Sequence, residues 1–271
     1  MASAPKVSVV IPCYNHGVYV QDAIDSVEAS TYKGYELIIV NDGSTDALTI
    51  QKMDELMQRG YNIINQPNQG VSSTRNNGIA AASGRYIMPL DADNKIRPTY
   101  IEKAIGVLDS QPGIGVVYGK SAYFGEVNTG CGGESFNPTK LYRGGHIDTL
   151  AVFRKSAWED AGGYDPNMPM LGNEDWDFWL TLHENGIGFH FIDEVLFDYR
   201  VVSGSLLHKL KQSEKWTETI YYIATKHGAG YWNQFFEVST ELEYAKSRPL
   251  NFLLKQKFNW LYKLLSRHSA G

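Results

Sequence analysis

Through the first hundred residues, short β-branched runs alternate with stretches whose apolar residues recur at helical spacing. "KVSVVIP" (6–12) predicts a buried strand, and "GVYVQDAIDSVEAST" (17–31) a helix behind it. "YELIIVND" (35–42) is a second strand. "STDALTIQKMDELMQRG" (44–60) follows as a helix, with Ser44 or Thr45 as N-cap and Gly60 as its stop. "YNIINQ" (61–66), "GVSSTRNNGIAAASG" (70–84) and "RYIMPLDAD" (85–93) continue as strand, helix and strand. This alternation predicts βαβ units and a parallel sheet.

Beyond residue 97 the pattern loosens. "TYIEKAIGVLDSQ" (99–111) reads as a helix and "GIGVVYG" (113–119) as a strand, and residues 124–147, rich in Gly, Asn and Thr, read as one long loop. "TLAVFRKSAWEDAGGYDP" (149–166) predicts a short strand and a helix stopped by Gly162. "NEDWDFWLTLHENG" (173–186) predicts a helix capped by Asn173, and "IGFHFIDEVLFDYR" (187–200) returns to strand. From about residue 205 the pattern is helical to the end, with no internal repeat.

Polar clusters follow four predicted strands: "CYNHG", "NDGSTD", "QPNQG" and "DADN". In open α/β sheets, ligands bind beyond the carboxyl ends of the strands. Four clusters on one edge would build a polar crevice of nucleotide size. The formal charge of −5 argues against a general nucleic-acid binder. Cys13 and Cys131 form no disulfide framework, so a reduced, cytoplasmic compartment is expected. Pro12 ends the N-terminal apolar run too early for a signal peptide, and no window reaches the length of a membrane span.

Asp91 and Asp93 stand one residue apart where the fourth strand ends. They are either turn residues or, on extended backbone, a same-facing pair whose repulsion a hard cation such as Mg²⁺ or Mn²⁺ would relieve. In "NDGSTD", Gly43 and Ser44 suit a turn, while the carboxylate of Asp42 suits a base imide or a ribose hydroxyl. Arg75 is either a solvated surface charge or a phosphate contact near a helix start. Glu174, Asp175 and Asp177 crowd a first helical turn, where acids are favoured by the dipole. A carboxylate there stays ionised near neutrality and suits a general base. The aromatic neighbours Trp176 and Trp179 suit stacking on a sugar. His146, His190 and His208 have no zinc spacing. Dinucleotide, P-loop and nucleophile-elbow signatures are absent.

The segments "VSVVIPCYNHGVYVQDAIDSV", "ELIIVNDGSTD", "NQGVSSTRNNGI", "YIMPLDADN", "AVFRKSAWEDAGGYD" and "NEDWDFWLTL" together resemble the family 2 glycosyltransferases, in the family's order, over residues 6 to about 205. The resemblance implies a GT-A, Rossmann-like α/β fold with a mostly parallel central sheet. Residues 1–205 would form the catalytic domain, with 1–97 as its nucleotide-binding half and 98–205 as its acceptor-binding half; 206–271 would be a helical extension.

The implied activity is inverting transfer from a nucleotide-diphosphate sugar, usually UDP-linked, to a hydroxyl of a glycan, glycolipid or protein-linked acceptor, with Mn²⁺ or Mg²⁺. By the same resemblance, Pro12, Tyr14 and Asn15 would hold the nucleoside and Asp42 would read the uracil edge. Asn68 and Arg75 would touch the nucleotide, Asp91 ribose and metal, and Asp93 the metal directly. Asp175 would be the base, Glu174 and Trp176 acceptor contacts, and Arg200 with Ser205 the segment over the diphosphate. Val202 and Ser203 stand where many members carry a His, with His208 the nearest substitute. "QSEKW" (212–216) is similar only in outline to the Q-x-x-R-W of processive synthases and is set aside.

On the residues alone, two rivals stay open: a nucleotidyltransferase on a related fold, and an inactive sugar-nucleotide or glycan-binding module. The C-terminal stretch carries Lys246, Arg248, Lys255, Lys257, Lys263 and Arg267, with Leu254, Phe258, Leu261 and Leu265 on one stripe. It suits a helix packed on protein, including a dimer partner, or one lying on anionic lipid.

Overall fold

The computed structural model describes residues 6–144, 146–169, 172–202, 214–249 and 252. Ser203, Ser205, His208 and the stripe of Leu254, Phe258, Leu261 and Leu265 lie outside the described residues. By contact, residues 1–225 form one compact unit and residues 226–271 another.

In the first unit, strands β1 (Val7–Cys13), β2 (Tyr35–Asp42), β3 (Asn62–Gln66) and β4 (Tyr86–Pro89) lie in the order β3-β2-β1-β4, with every neighbouring pair parallel. Val7, Val9, Val10 and Ile11 are all fully buried, so β1 is covered on both faces, as an apolar run without alternation requires. Helices α1 (Val20–Glu28), α2 (Ala47–Gln58) and α3 (Val71–Ala81) connect these strands. Helix α3 crosses β1 and β2 closely at Gly78, where a Cβ would collide with the side chains of Val10 and Val40. Because the four strands run the same way, the polar clusters that follow them share one edge of the sheet.

The cap of α2 is Asp46, whose carboxylate accepts from the Thr49 N–H at 2.8 Å. Ser44 and Thr45, the caps expected from the sequence, serve the neighbouring loop instead. Ser44 Oγ accepts from the Asn15 N–H at 3.0 Å, and Thr45 Oγ1 from Asn15 Nδ2 at 3.2 Å.

The second half of this unit is mixed. Strands β5 (Lys95–Ile96), β6 (Ile114–Gly125), β7 (Cys131–Gly132), β8 (Val152–Arg154) and β9 (Gly188–Val201) extend the sheet as β4-β8-β6-β9-β5, with β7 on β6. β8 is antiparallel to both β4 and β6, whereas β6 and β9 are parallel. The stretch expected as one long loop instead contains the end of β6, the two-residue β7 and helix α5 (Pro138–Arg143), capped by the Asn137 side chain. Helices α4 (Tyr100–Ser110), α6 (Lys155–Ala161) and α7 (Glu174–Glu184) fall where the periodicity predicts them. Gly162 ends α6 in the left-handed region at φ 76°. Helix α8 (Glu214–Lys226) follows, all but its last residue belonging to this unit.

The second unit contains α9 (Gly228–Ser247), which buries none of its residues and exposes Trp232, Phe235, Phe236 and Leu242. Among the described residues no helix is long and apolar enough to cross a membrane.

Candidate functional site

A cavity of about 1120 Å³ opens at the carboxyl edge of the parallel strands and continues under β6 and the start of α7. Asp91 and Asp93 reach it from the end of β4. Their backbone is a turn closed by the Asn94 N–H donating to the Asp91 carbonyl at 3.0 Å, not extended strand. Strand alternation therefore does not align the two carboxylates, yet the turn brings both residues to the cavity. Burial pushes the Asp93 carboxyl up, and the charge of Asp91 adds to this. Asn94 anchors the turn, because its Oδ1 accepts from the Arg200 N–H at 2.9 Å.

Arg75 is neither a surface charge nor at a helix start. It lies in the middle of α3 and is 3 % exposed. Its Nη2 donates to Asp91 Oδ1 at 2.7 Å and its Nη1 to Glu174 Oε1 at 2.6 Å. Its guanidinium lies 5.5 Å from the ring centre of Tyr164. One buried cation thus ties the Asp91 turn to the first turn of α7. Burial alone would lower the pKa of Arg75, but the Asp91 and Glu174 charges outweigh it and hold the guanidinium charged. The Glu174 carboxyl, which burial would raise, is held below its ordinary value by Arg75 and by the Gly172 N–H at 2.7 Å.

On the opposite wall, Asp42 ends β2 and is buried. Its carboxylate accepts from Gln66 Nε2 at 2.8 Å and from the N–H groups of Gln69 and Gly70 at 2.9 and 3.0 Å. Asn68 Nδ2 donates to the Asp42 carbonyl at 3.1 Å. Asp42 therefore shapes the loop before α3 as well as lining the cavity. Gly43 makes this possible: at φ 67°, its missing Cβ leaves room for the Asn68 N–H, which a Cβ would meet at 2.7 Å.

Asp175, second residue of α7, lines the cavity, and its pKa is pushed up to about 8 by burial and then by the charge of Glu174. This corrects the expectation that a helix start keeps it ionised at neutrality: lost hydration and a neighbouring carboxylate outweigh the dipole. A second raised carboxyl, Asp148, at about 7 through burial, lines the same cavity from the segment before β8. Other residues lining the cavity carry buried polar atoms with no hydrogen-bond partner: Thr149 Oγ1, Asn173 Nδ2 and both ring nitrogens of His146.

A family model described as glycosyl transferase family 2 matches residues 8–159, more than half of the chain. The chain belongs to glycosyl transferase family 2. A Haemophilus influenzae protein named as an uncharacterized glycosyltransferase is 37% identical over 112 residues, which cover 40% of this chain and 34% of that protein. The chain spans about a third or less of the length of several curated relatives that it matches. S. aureus TarS 1–349 in complex with UDP-GlcNAc has a TM-score of 0.66 at 18% identity, over 94% of this chain and 77% of that one. The mannosyltransferase PcManGT from Pyrobaculum calidifontis, in complex with GDP-Man and Mn²⁺, has a TM-score of 0.58 at 16% identity, over 99% and 80%. The fold of this family 2 chain is of the GT-A type.

Of the residues singled out from the family resemblance, Pro12, Tyr14, Asp42, Asn68, Arg75, Asp91, Asp93, Glu174, Asp175, Trp176 and Arg200 all line the one cavity. Asn15 does not. At φ 54° it is turned to the β2–α2 loop, where its Oδ1 accepts from the Thr45 and Asp46 N–H groups. Glu174 and Trp176 line the wall with their polar groups already committed, Glu174 to Arg75 and the Trp176 indole N–H to the Leu141 carbonyl at 2.6 Å.

Arg200 is stacked between Tyr19 and Phe124, with ring centres at 4.5 and 4.4 Å, and its Nη2 donates to Asp22 at 2.7 Å. The sequence reading missed Asp148, Thr149, Asn173 as a lining residue, and Trp216. Only Trp216 carried a signal, in the "QSEKW" segment that had been set aside.

Proposed function

We propose that this family 2 chain transfers a sugar from a UDP-linked donor to a hydroxyl of a glycan or lipid-linked acceptor, with inversion at the anomeric carbon. The observation that carries the reading is the pairing, across one cavity, of the Asp91–Asp93 turn with Asp175, braced by the buried Arg75. TarS in complex with UDP-GlcNAc and PcManGT in complex with GDP-Man and Mn²⁺ support a nucleotide-sugar donor on this fold.

Asp91 and Asp93 fit a hard divalent cation. They are oxygen ligands, and the carboxyl of one is held up partly by the charge of the other, a strain that a cation removes. Among the described residues no three of His, Cys, Asp and Glu come together as a metal cage. Two carboxylates suffice for Mg²⁺ or Mn²⁺, which fill their remaining positions with water and substrate phosphates. When bound, the cation offsets the charge that develops on the departing diphosphate.

Asp175 takes the proton from the acceptor hydroxyl as that oxygen bonds to the anomeric carbon and the carbon–phosphate oxygen bond breaks. The electron pair leaves with the diphosphate, so no second carboxylic acid is needed to protonate it. Glu174 is spoken for by Arg75 and Gly172, which leaves Asp175 as the base at the start of α7. Arg75 fixes the distance between that base and the turn.

A panel of nucleotide sugars tested by thermal shift, with and without Mn²⁺, on wild type and Asp93→Ala, examines the donor and the metal together. The expected result is a Mn²⁺-dependent shift with a UDP-sugar that Asp93→Ala loses. The configuration of the product's new glycosidic bond, read by NMR, tests inversion. A wild type that no nucleotide sugar stabilises would overturn the proposal.

A further inference from the structure

Three groups lining the cavity are left over by that chemistry: Asp148 and Thr149, consecutive in the chain, and Asn173. Thr149 is 4 % exposed and Asn173 7 %, yet Thr149 Oγ1 and Asn173 Nδ2 are buried without a hydrogen-bond partner. Buried polar atoms are nearly always paired, and an unpaired one on a residue that lines a cavity calls for a partner. Asp148 is the third. Its Oδ1 accepts from the Leu150 N–H at 3.0 Å, and among the described residues no donor reaches its second oxygen.

We infer that Asp148, Thr149 and Asn173 form the subsite that reads the ring hydroxyls of the transferred sugar, an inference that rests on the donor reading above. The chemistry of the set selects the ligand. It offers a carboxylate oxygen as acceptor, an amide N–H as donor and a hydroxyl as either. Neighbouring sugar hydroxyls, each both donor and acceptor, match all three. A phosphate would be repelled by Asp148 and would want cations. A metal is not indicated, because Asp148 does not join Asp91 and Asp93 as a three-ligand cluster. Asp148 is coupled electrostatically to Asp91 and Asp93 at the metal turn and also to Asp175, the base, and the transferred sugar has to lie between those two ends.

The subsite is also held still. The Leu150 carbonyl accepts from Tyr100 Oη at 2.7 Å, deep in the core, and the Ala151 N–H donates to the Thr149 carbonyl at 2.8 Å. Asn173 sits at the start of α7, one residue from Glu174, which Arg75 anchors. Rigid placement of both walls is what discrimination between epimers demands, since one hydroxyl moves by only a bond length or two.

The test uses the full chain with Mn²⁺ and measures the affinities of UDP, UDP-Glc, UDP-Gal, UDP-GlcNAc and UDP-GalNAc by calorimetry. Wild type is compared with Asp148→Asn, Thr149→Val and Asn173→Ala, with thermal midpoints confirming that each is folded. UDP affinity is expected to stay within about twofold, whereas the wild-type preference between C4 epimers falls by about tenfold in Asp148→Asn, as a site built to bond a hydroxyl requires. An epimer ratio unchanged in all three variants overturns the inference. So does a wild type that binds UDP but holds all four sugars alike. A wild type that binds neither UDP nor any of the sugars overturns the donor reading itself, and the subsite with it.

Discussion

Replacing Arg75 with Met removes the cation between Asp91 and Glu174 while keeping a side chain of comparable length in the same buried space. The cost is set by Glu174, whose side chain is 6% exposed and which keeps only backbone N–H partners, Gly172 among them, once Arg75 is gone. Leaving one partner of a buried ion pair uncompensated costs about 3–5 kcal/mol. Asp91 adds little, because its side chain is 31% exposed and water screens it.

At about 2–4 °C per kcal/mol for a unit of this size, the thermal midpoint should fall by about 6–20 °C. The charge dependence has a defined sign. In the wild type the folded pKa of Glu174 lies below its ordinary 4.5, so its contribution is present above that value and is lost as pH falls through the folded pKa. In Arg75→Met burial outweighs the remaining backbone N–H bonds and the carboxyl rises, so the penalty is largest at neutral pH and shrinks as the pH is lowered. Urea denaturation followed by tryptophan fluorescence at pH 7 and pH 5, on wild type, Arg75→Met, Glu174→Gln and the double variant, reads all of this. Glu174→Gln should recover most of the loss in the Arg75→Met background. A cost below about 1 kcal/mol, or simple additivity of the two changes, would refute the assignment of Arg75 as a buried brace.

With the Asp175 pKa raised to about 8, kcat/KM for slow donor hydrolysis should climb with pH and level off above about 8, and a flat profile would remove Asp175 as the base. The same raised pKa means the folded protein binds more protons than the unfolded chain between 3.8 and about 8. Metal-free stability should therefore fall as pH rises through that window, and Asp175→Asn should reduce the slope. Gly78→Ala drives a Cβ into Val10 and Val40 and should cost about 1–3 kcal/mol in chemical denaturation; an unchanged midpoint would mean that α3 can lift off the sheet freely. Asp22→Ala releases the Arg200 guanidinium from a partly exposed pair, so stability should change by less than about 1 kcal/mol and UDP should bind up to about fivefold tighter. Unchanged or weaker UDP binding would take Arg200 away from the diphosphate.

The sequence by itself determined the alternation of β1 to β4 with α1 to α3, because apolar runs and helical spacing are local signals that each segment carries alone. It also determined that Asp42, Asp91 and Asp93 follow parallel strands, and hence that they share an edge of the sheet. The acids of α7 were equally plain, since their place in a first turn is a matter of neighbours in the chain.

What those groups do to one another was decided only by packing. Arg75 meets Asp91 across 16 positions and Glu174 across 99, so nothing local separates a buried brace from a surface charge. Asp46 displaced Ser44 and Thr45 as the cap of α2 because Asn15, thirty residues away, claimed their side chains. Thr149 read as the entry to a short strand, and Asp148 carried no signal. They became part of the site because antiparallel β8 slots between β4 and β6, a placement set by the mixed half of the sheet that no periodicity encodes. The raised pKa of Asp175 has the same origin: the chain supplied the carboxylate, and only the fold took its water away.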